Sequence, residues 1–114
     1  MEKVQQQTSY PSRSGQVISL EKGKIPPQAI DLEEVVLGAM MIDKKGVDEV
    51  IDILSAEAFY KEAHQHIFEA IFQLFENSEP VDLLTVSTQL KKNSKLELAG
   101  GDFYLISLTR SPLF

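Results

Sequence analysis

The fold is decided by residues 25–38, which read IPPQAIDLEEVVLG. The Pro26 and Pro27 rings fix φ and deny a helix to the residues that precede them. Asp31 and the two glutamates after it supply negative charge where the free N–H groups of a first helical turn would lie. Apolar residues then recur at helical spacing, and Gly38 lets another backbone approach closely. This stretch therefore predicts the first helix of a packed helical domain, running from about Asp31 to Met41.

Four more helices follow from apolar spacing, caps and turn signals. A turn-rich cluster, 43–46, ends the first helix, and the later helices are predicted at 47–53, at 63–77, from the N-cap Asp82 to Lys92, and from the Gly100–Gly101 pair to Thr109. The third helix has a wide apolar face that includes Phe72 and Phe75, so we expect it to be central. The connector before it carries Phe59 and Tyr60, both expected to pack on the core. The predicted class is all-α, a compact bundle of about five to six helices.

Residues 1–24 are polar, and they predict a disordered N-terminal leader. Two alternatives remain open, a partner-binding arm and a short extended piece at 16–20. Residues 25–110 form the predicted helical domain, and residues 111–114 would be the truncated start of a linker or helical hairpin that follows it.

Composition narrows the function classes. The chain of 114 residues contains no cysteine, which excludes disulfides and thiolate metal sites and fits the cytoplasm. The sequence predicts neither a signal peptide nor a membrane span. The leader carries four basic and two acidic residues, whereas the remainder carries seven basic and fifteen acidic residues, a net charge of −8. Because nucleic-acid affinity comes mainly from clustered Lys and Arg, we expect protein partners and no direct DNA binding.

Motifs that would carry chemistry are incomplete. The Gly100–Gly101 pair lacks the Lys and Ser or Thr of a phosphate-binding loop, and residues 43–46 lack the oxygen ligands of a calcium loop. His64 and His66 would point about 200° apart on a helix, so we expect a capping, packing or surface role for His64 and no metal site. The adjacent Glu33 and Glu34 are expected to be solvated. We therefore predict no catalytic, cofactor-binding or metal-binding residue.

Two features suggest contacts with other proteins. Asp48, Glu49 and Asp52 form an acidic stripe that could be a docking surface, although an ordinary solvated helix face is the simpler interpretation. Met40 and Met41, together with Leu37, extend the apolar character of the first helix beyond one stripe. They indicate burial on two sides within the domain, with a contact to another subunit as the alternative.

The opening stretch and the segments after it resemble, in order and spacing, the N-terminal domain of DnaB-type replicative DNA helicases. The resemblance covers about Ile25 to Thr109, and no single motif carries it. Its later residues are Phe59, Tyr60, His64, Ile67, Phe68, Ala70, Ile71, Pro80, Asp82, Leu83, Thr85, Gly100, Gly101, Tyr104 and Leu105.

The resemblance implies a non-catalytic role. Such a domain would help to assemble the N-terminal collar of a hexameric helicase and would dock primase, with a helicase loader as a further partner. It also implies that His64 is a packing residue. ATP and Mg²⁺ would belong to a C-terminal ATPase domain that this sequence does not contain. The family's helical hairpin would begin where this chain stops, so we expect the fragment to be a monomer or a weak dimer.

The competing hypothesis is a free-standing helical adaptor or regulator that binds a protein partner. An open reading frame that continues past Phe114 into a hairpin and an ATPase domain would favour the helicase, and a native stop codon would favour the adaptor. A small enzyme ranks last because no catalytic constellation is present.

Overall fold

The structure is a computed structural model that describes residues 27–110, and the predictions for the leader, for the extended piece at 16–20 and for 111–114 lie outside those residues. Within that range there are five α-helices and no strand, which confirms the all-α class. The helices are α1 (Pro27–Ile42), α2 (Lys44–Val50), α3 (Glu62–Glu76), α4 (Leu83–Lys92) and α5 (Gly101–Leu108), with a 3₁₀ turn at Ala56–Ala58.

Helix α1 begins at Pro27, four residues before the predicted start at Asp31. Proline is well suited to the first position of a helix, because the N–H it lacks would be unpaired there and its φ is already helical. The early start moves the acidic residues out of the first turn, which contains none. The predicted interaction of those carboxylates with the helix N-terminus was therefore wrong.

Helix α2 begins three residues earlier than predicted, and the expected turn cluster at 43–46 does not exist. Asp43 is the N-cap of α2, and its carboxylate accepts a hydrogen bond from the Lys45 backbone N–H at 3.0 Å. Gly46 lies inside α2, where an added Cβ would be 2.9 Å from the Ala39 carbonyl oxygen. Only a glycine permits this tight corner between α1 and α2. The helix ends at Val50, and a turn replaces its predicted last residues.

Helix α3 packs against α1, α4 and the 3₁₀ turn, whereas α1 packs against all four other helices. The central helix is therefore α1, and the predicted central position of α3 was wrong. Of the preceding aromatic pair, Phe59 is buried but Tyr60 is 52% exposed, so only Phe59 packs on the core as expected. The apolar face of α3 is narrower than predicted, because Phe72 and Phe75 are 36% and 40% exposed.

Helices α4 and α5 have the predicted start signals. Asp82 accepts a hydrogen bond from the Thr85 N–H at 2.9 Å, and the Thr85 hydroxyl accepts one from the Asp82 N–H at 2.9 Å, which makes a reciprocal capping box. Before α5, Gly100 has φ +104°, a conformation that favours glycine.

The core is closed by a backbone contact between α1 and α5. A Cβ added at Gly38 would collide with the carbonyl oxygen of Leu108, at the end of α5. The predicted close approach at Gly38 is thus confirmed. Met40 and Met41 are buried within the domain, at 0% and 3% exposure. This confirms the prediction that the domain itself covers both sides of the first helix at these residues. The core comprises Leu37, Met40, Met41, Val47, Ile51, Phe59, Ile67, Phe68, Ala70, Ile71, Leu74, Val86, Leu90, Ala99, Leu105 and Leu108.

Candidate interaction surface

The predicted acidic residues are all exposed. Asp48 and Glu49 lie on α2, and Asp52 lies in the turn that follows it. Of the three, Asp48 also lines a surface depression of about 790 Å³. The structure thus leaves these carboxylates accessible to a partner.

We call that depression the acidic groove. It lies between the α1–α2 corner and the connection from α3 to α4, and its charged lining consists of Asp48, Glu76, Glu79, Asp82 and Lys44. Ile42 and Phe75 supply apolar surface, and they are 64% and 40% exposed. The groove therefore combines an apolar floor with an excess of negative charge.

Helix α1 has a second apolar side that the domain does not cover. Leu32, Val35 and Ile42 are 63%, 47% and 64% exposed, and we call these three residues the outer stripe. A second groove of about 480 Å³ runs beside it and is lined by Val35, Ala39 and Leu108 among others. Several apolar side chains exposed along one side of a helix are typical of a protein contact site.

Glu33 and Glu34 are partly buried and hydrogen-bonded, whereas the sequence predicted that they are solvated. Glu33 accepts a hydrogen bond from Nδ1 of His64 at 2.7 Å, and Nε2 of His64 lies 2.6 Å from the hydroxyl of Tyr104. That hydroxyl donates to Glu34 at 2.8 Å. We call Glu33, His64, Tyr104 and Glu34 the polar network. It joins α1, α3 and α5, and His64 is fully buried within it.

Tyr104 links the two halves of the polar network, because its hydroxyl donates to Glu34 and also lies against Nε2 of His64. Burial, followed by the hydrogen bond to Glu34 and the charges of both carboxylates, raises the pKa of Tyr104 well above its ordinary value.

Glu33 also completes the start of α3. Lys61, the N-cap of that helix, makes no side-chain capping bond. The Glu33 carboxylate accepts the backbone N–H groups of Tyr60 at 2.6 Å and of Lys61 at 3.4 Å instead. A carboxylate at this position interacts favourably with the positive end of the α3 dipole. The sequence contains one signal of the inward position of Glu33. Glu33 precedes the buried Leu37 by four residues and therefore lies on the same face of α1.

The two histidines of the described residues lie in separate surroundings. His64 is enclosed by its partners, which agrees with the predicted packing role, and His66 lies 3.3 Å from the Glu62 carboxylate on the same helix. Within residues 27–110 no group of three or more His, Cys, Asp or Glu side chains could hold a metal ion. Nor does any helix in that range combine the length and apolar character needed to cross a bilayer.

The sequence profile of the family described as DnaB-like helicase N terminal domain matches residues 25–113. The chain belongs to this DnaB family. This match confirms, over most of the chain, the resemblance to DnaB N-terminal domains that the sequence suggested.

Replicative DNA helicases named DnaB are similar to this chain in sequence. The protein of Rhodothermus marinus is 48% identical over 89 residues, which are 78% of this chain and 10% of that protein. The protein of Geobacillus stearothermophilus is 44% identical over 85 residues, which are 75% of this chain and 19% of that protein. This DnaB-family chain thus spans between a tenth and a fifth of the length of these curated relatives.

A solved structure shares the DnaB-family fold. The crystal structure of the N-terminal domain of DnaB helicase from Mycobacterium tuberculosis matches this chain with a TM-score of 0.66 and 35% sequence identity. The match covers 72% of this chain and 58% of that one. The helical arrangement described above is therefore that of a DnaB N-terminal domain.

Proposed function

We propose that this chain is the non-catalytic N-terminal part of a bacterial replicative DNA helicase, in which it helps to assemble the collar of the hexamer and docks primase. The family membership and the relatives named replicative DNA helicases support this role. The parent protein would unwind DNA in the cytoplasm, using ATP and Mg²⁺ bound to an ATPase domain outside this sequence. A helicase loader is a further proposed partner.

The observation that carries the assembly role is the outer stripe of α1. Leu32, Val35 and Ile42 are about half or more exposed, although the opposite side of the same helix is fully packed. Full burial of one such side chain is worth about 1.5–3 kcal/mol. A contact with a neighbouring subunit would bury all three and would supply a large part of the energy that a stable interface needs.

Charge supports docking of a protein rather than of DNA. The chain beyond the leader has a net charge of −8, and Asp48, Glu49 and Asp52 add an exposed acidic face. Such a face attracts a basic protein surface and repels phosphate. The face on α2 is accordingly our proposed contact for primase.

Titration calorimetry against the C-terminal helicase-binding domain of primase tests the docking role. The variant Asp48→Asn/Asp52→Asn removes two charges from the face, and exposed ion pairs of about 0.5 kcal/mol each predict a roughly fivefold weaker Kd. The matched control is Glu69→Gln/Glu97→Gln, which removes two exposed charges elsewhere and should leave Kd unchanged. Equal weakening in both variants would refute a specific acidic contact.

A longer chain extended through the family's hairpin completes the test. Binding by both lengths would assign a docking surface to this domain, whereas binding by the longer one alone would assign it to the hairpin or to the oligomer. Absence of binding in both would favour the adaptor hypothesis. Sedimentation of the longer chain checks the assembly role, because Leu32→Ser/Val35→Ser should shift it towards monomer.

A further inference from the structure

The lining of the acidic groove carries an excess of negative side chains. Asp48, Glu76, Glu79 and Asp82 outnumber Lys44 there by three charges. The ends of two helices, α1 at Ile42 and α3 at Glu76, meet the starts of two others, α2 at Lys44 and α4 at Leu83, so the helix dipoles there oppose one another. The side-chain charges therefore make the groove favour a positively charged ligand.

The floor of the groove restricts that ligand further. Ile42 and Phe75 remain 64% and 40% exposed in the groove. A small cation would leave this apolar surface in water. A peptide that carries an apolar side chain beside Lys or Arg would satisfy both the floor and the rim.

The chain itself contains such a peptide before α1. Residues 1–26 include four basic and two acidic residues, a net charge of +2 opposite a remainder of −8. In the middle of this segment, Val17 and Ile18 lie between Arg13 and Lys22. An apolar pair flanked by cations is the complement of an apolar floor flanked by carboxylates.

The segment is also long enough to reach. Helix α1 has 16 residues, so its ends are about 22 Å apart at 1.5 Å per residue. Val17 precedes Pro27 by ten residues, and ten extended residues span about 33 Å. A strand that turns back along α1 can thus bring Val17 and Ile18 to the groove at its far end.

We infer that the N-terminal segment of this chain binds in the acidic groove of its own domain, with Val17 and Ile18 on Ile42 and Phe75 and its basic side chains on the carboxylate rim. The groove shares Asp48 with the proposed primase contact and Ile42 with the outer stripe, so the N-terminal segment would compete with both. This contact assigns the groove an intramolecular occupant and gives the basic leader a place on the domain.

Paramagnetic relaxation in the full chain tests the inference. Because the sequence has no cysteine, Ser19→Cys gives a single attachment site for a nitroxide within the segment. We expect the amide signals of Ile42, Ser78 and Val81 to broaden strongly. At 1 M salt the Debye length falls from about 10 Å to about 3 Å, and the broadening should fall about twofold or more.

Paired variants identify the cause. Glu76→Gln/Glu79→Gln and Val17→Ser/Ile18→Ser should each reduce the broadening about twofold or more. Glu69→Gln/Glu97→Gln should leave it unchanged, because these exposed carboxylates do not line the groove. All of these side chains lie on the surface or before α1, and the amide spectrum itself reports whether each variant is folded.

Three results would overturn the inference. One is the absence of broadening in the amide signals of the groove residues. Another is broadening that persists both after neutralisation of the rim carboxylates and at high salt. The third is broadening that requires mixing spin-labelled chains with separate isotope-labelled chains, since that would assign the groove to the leader of a second copy.

Discussion

Replacing Gly38 with alanine should destabilise the domain, although helix propensity alone predicts the opposite. Alanine is favoured over glycine in a helix interior by about 1 kcal/mol. At this position, however, the new Cβ would collide with the Leu108 carbonyl oxygen and would lie 3.1 Å from the carbonyl carbon. Both partners are backbone, so no side chain can rotate away and α5 must move off α1.

The expected size follows from these two opposing effects. Overpacking costs about 1–3 kcal/mol, and a contact between two backbones belongs at the upper end. After subtraction of the gain in propensity, Gly38→Ala should lower the free energy of unfolding by about 2 kcal/mol. With a urea m-value of about 1 kcal/mol per molar for a small domain, the midpoint should fall by about 2 M.

Urea unfolding followed by circular dichroism measures this change. The matched control is Ala39→Gly on the same helix, where the exposed position changes propensity alone and should cost about 1 kcal/mol. If Gly38→Ala raised the midpoint instead, propensity would outweigh packing there, and the close approach of α1 and α5 would be refuted.

The remaining predictions concern the polar network and the helix starts. As the pH rises above about 10 the unfolded chain loses the Tyr104 proton while the folded chain keeps it, so stability should fall steadily from about pH 10 upwards. Urea midpoints should fall less steeply with pH in Tyr104→Phe. At neutral pH the same variant should cost about 1–3 kcal/mol, because it leaves buried polar partners unpaired. Asp82→Ala should cost about 1 kcal/mol by thermal unfolding, whereas Asp82→Asn, which can still cap α4, should cost little. Gly100→Ala should cost about 1–3 kcal/mol in urea, since φ is +104° and the Cβ would lie 2.6 Å from the Tyr104 ring; an unchanged midpoint would contradict that geometry.

The sequence predicted those elements whose signals are local. The apolar period and the capping residue Asp82 predicted α3 and α4 to within about a residue at either end. It failed where a residue type has two uses. Pro27 was interpreted as a barrier but is the first residue of α1, and Asp43 was interpreted as part of a turn but caps α2.

The polar network was missed because its members are distant in sequence. Its hydrogen bonds join residues 31, 40 and 70 positions apart, and no local pattern records such a pairing. The exposure of Asp48, Glu49 and Asp52 followed from helical spacing, and their docking role stays a prediction. The acidic groove could not be anticipated, since it exists only when Ile42 and Phe75, on different helices, are brought together.

The contact between Gly38 and Leu108 also limits when the domain can finish folding during synthesis. Its two residues are 70 positions apart, and they lie near opposite ends of the described chain. The α1–α2 corner and the α3–α4 pair join neighbouring segments, so they can form early as the chain emerges from the ribosome. The surface of α1 that α5 covers remains exposed until α5 has been synthesised. A nascent chain paused before Leu105 and Leu108 would therefore leave the part of α1 around Gly38 uncovered and accessible to chaperones.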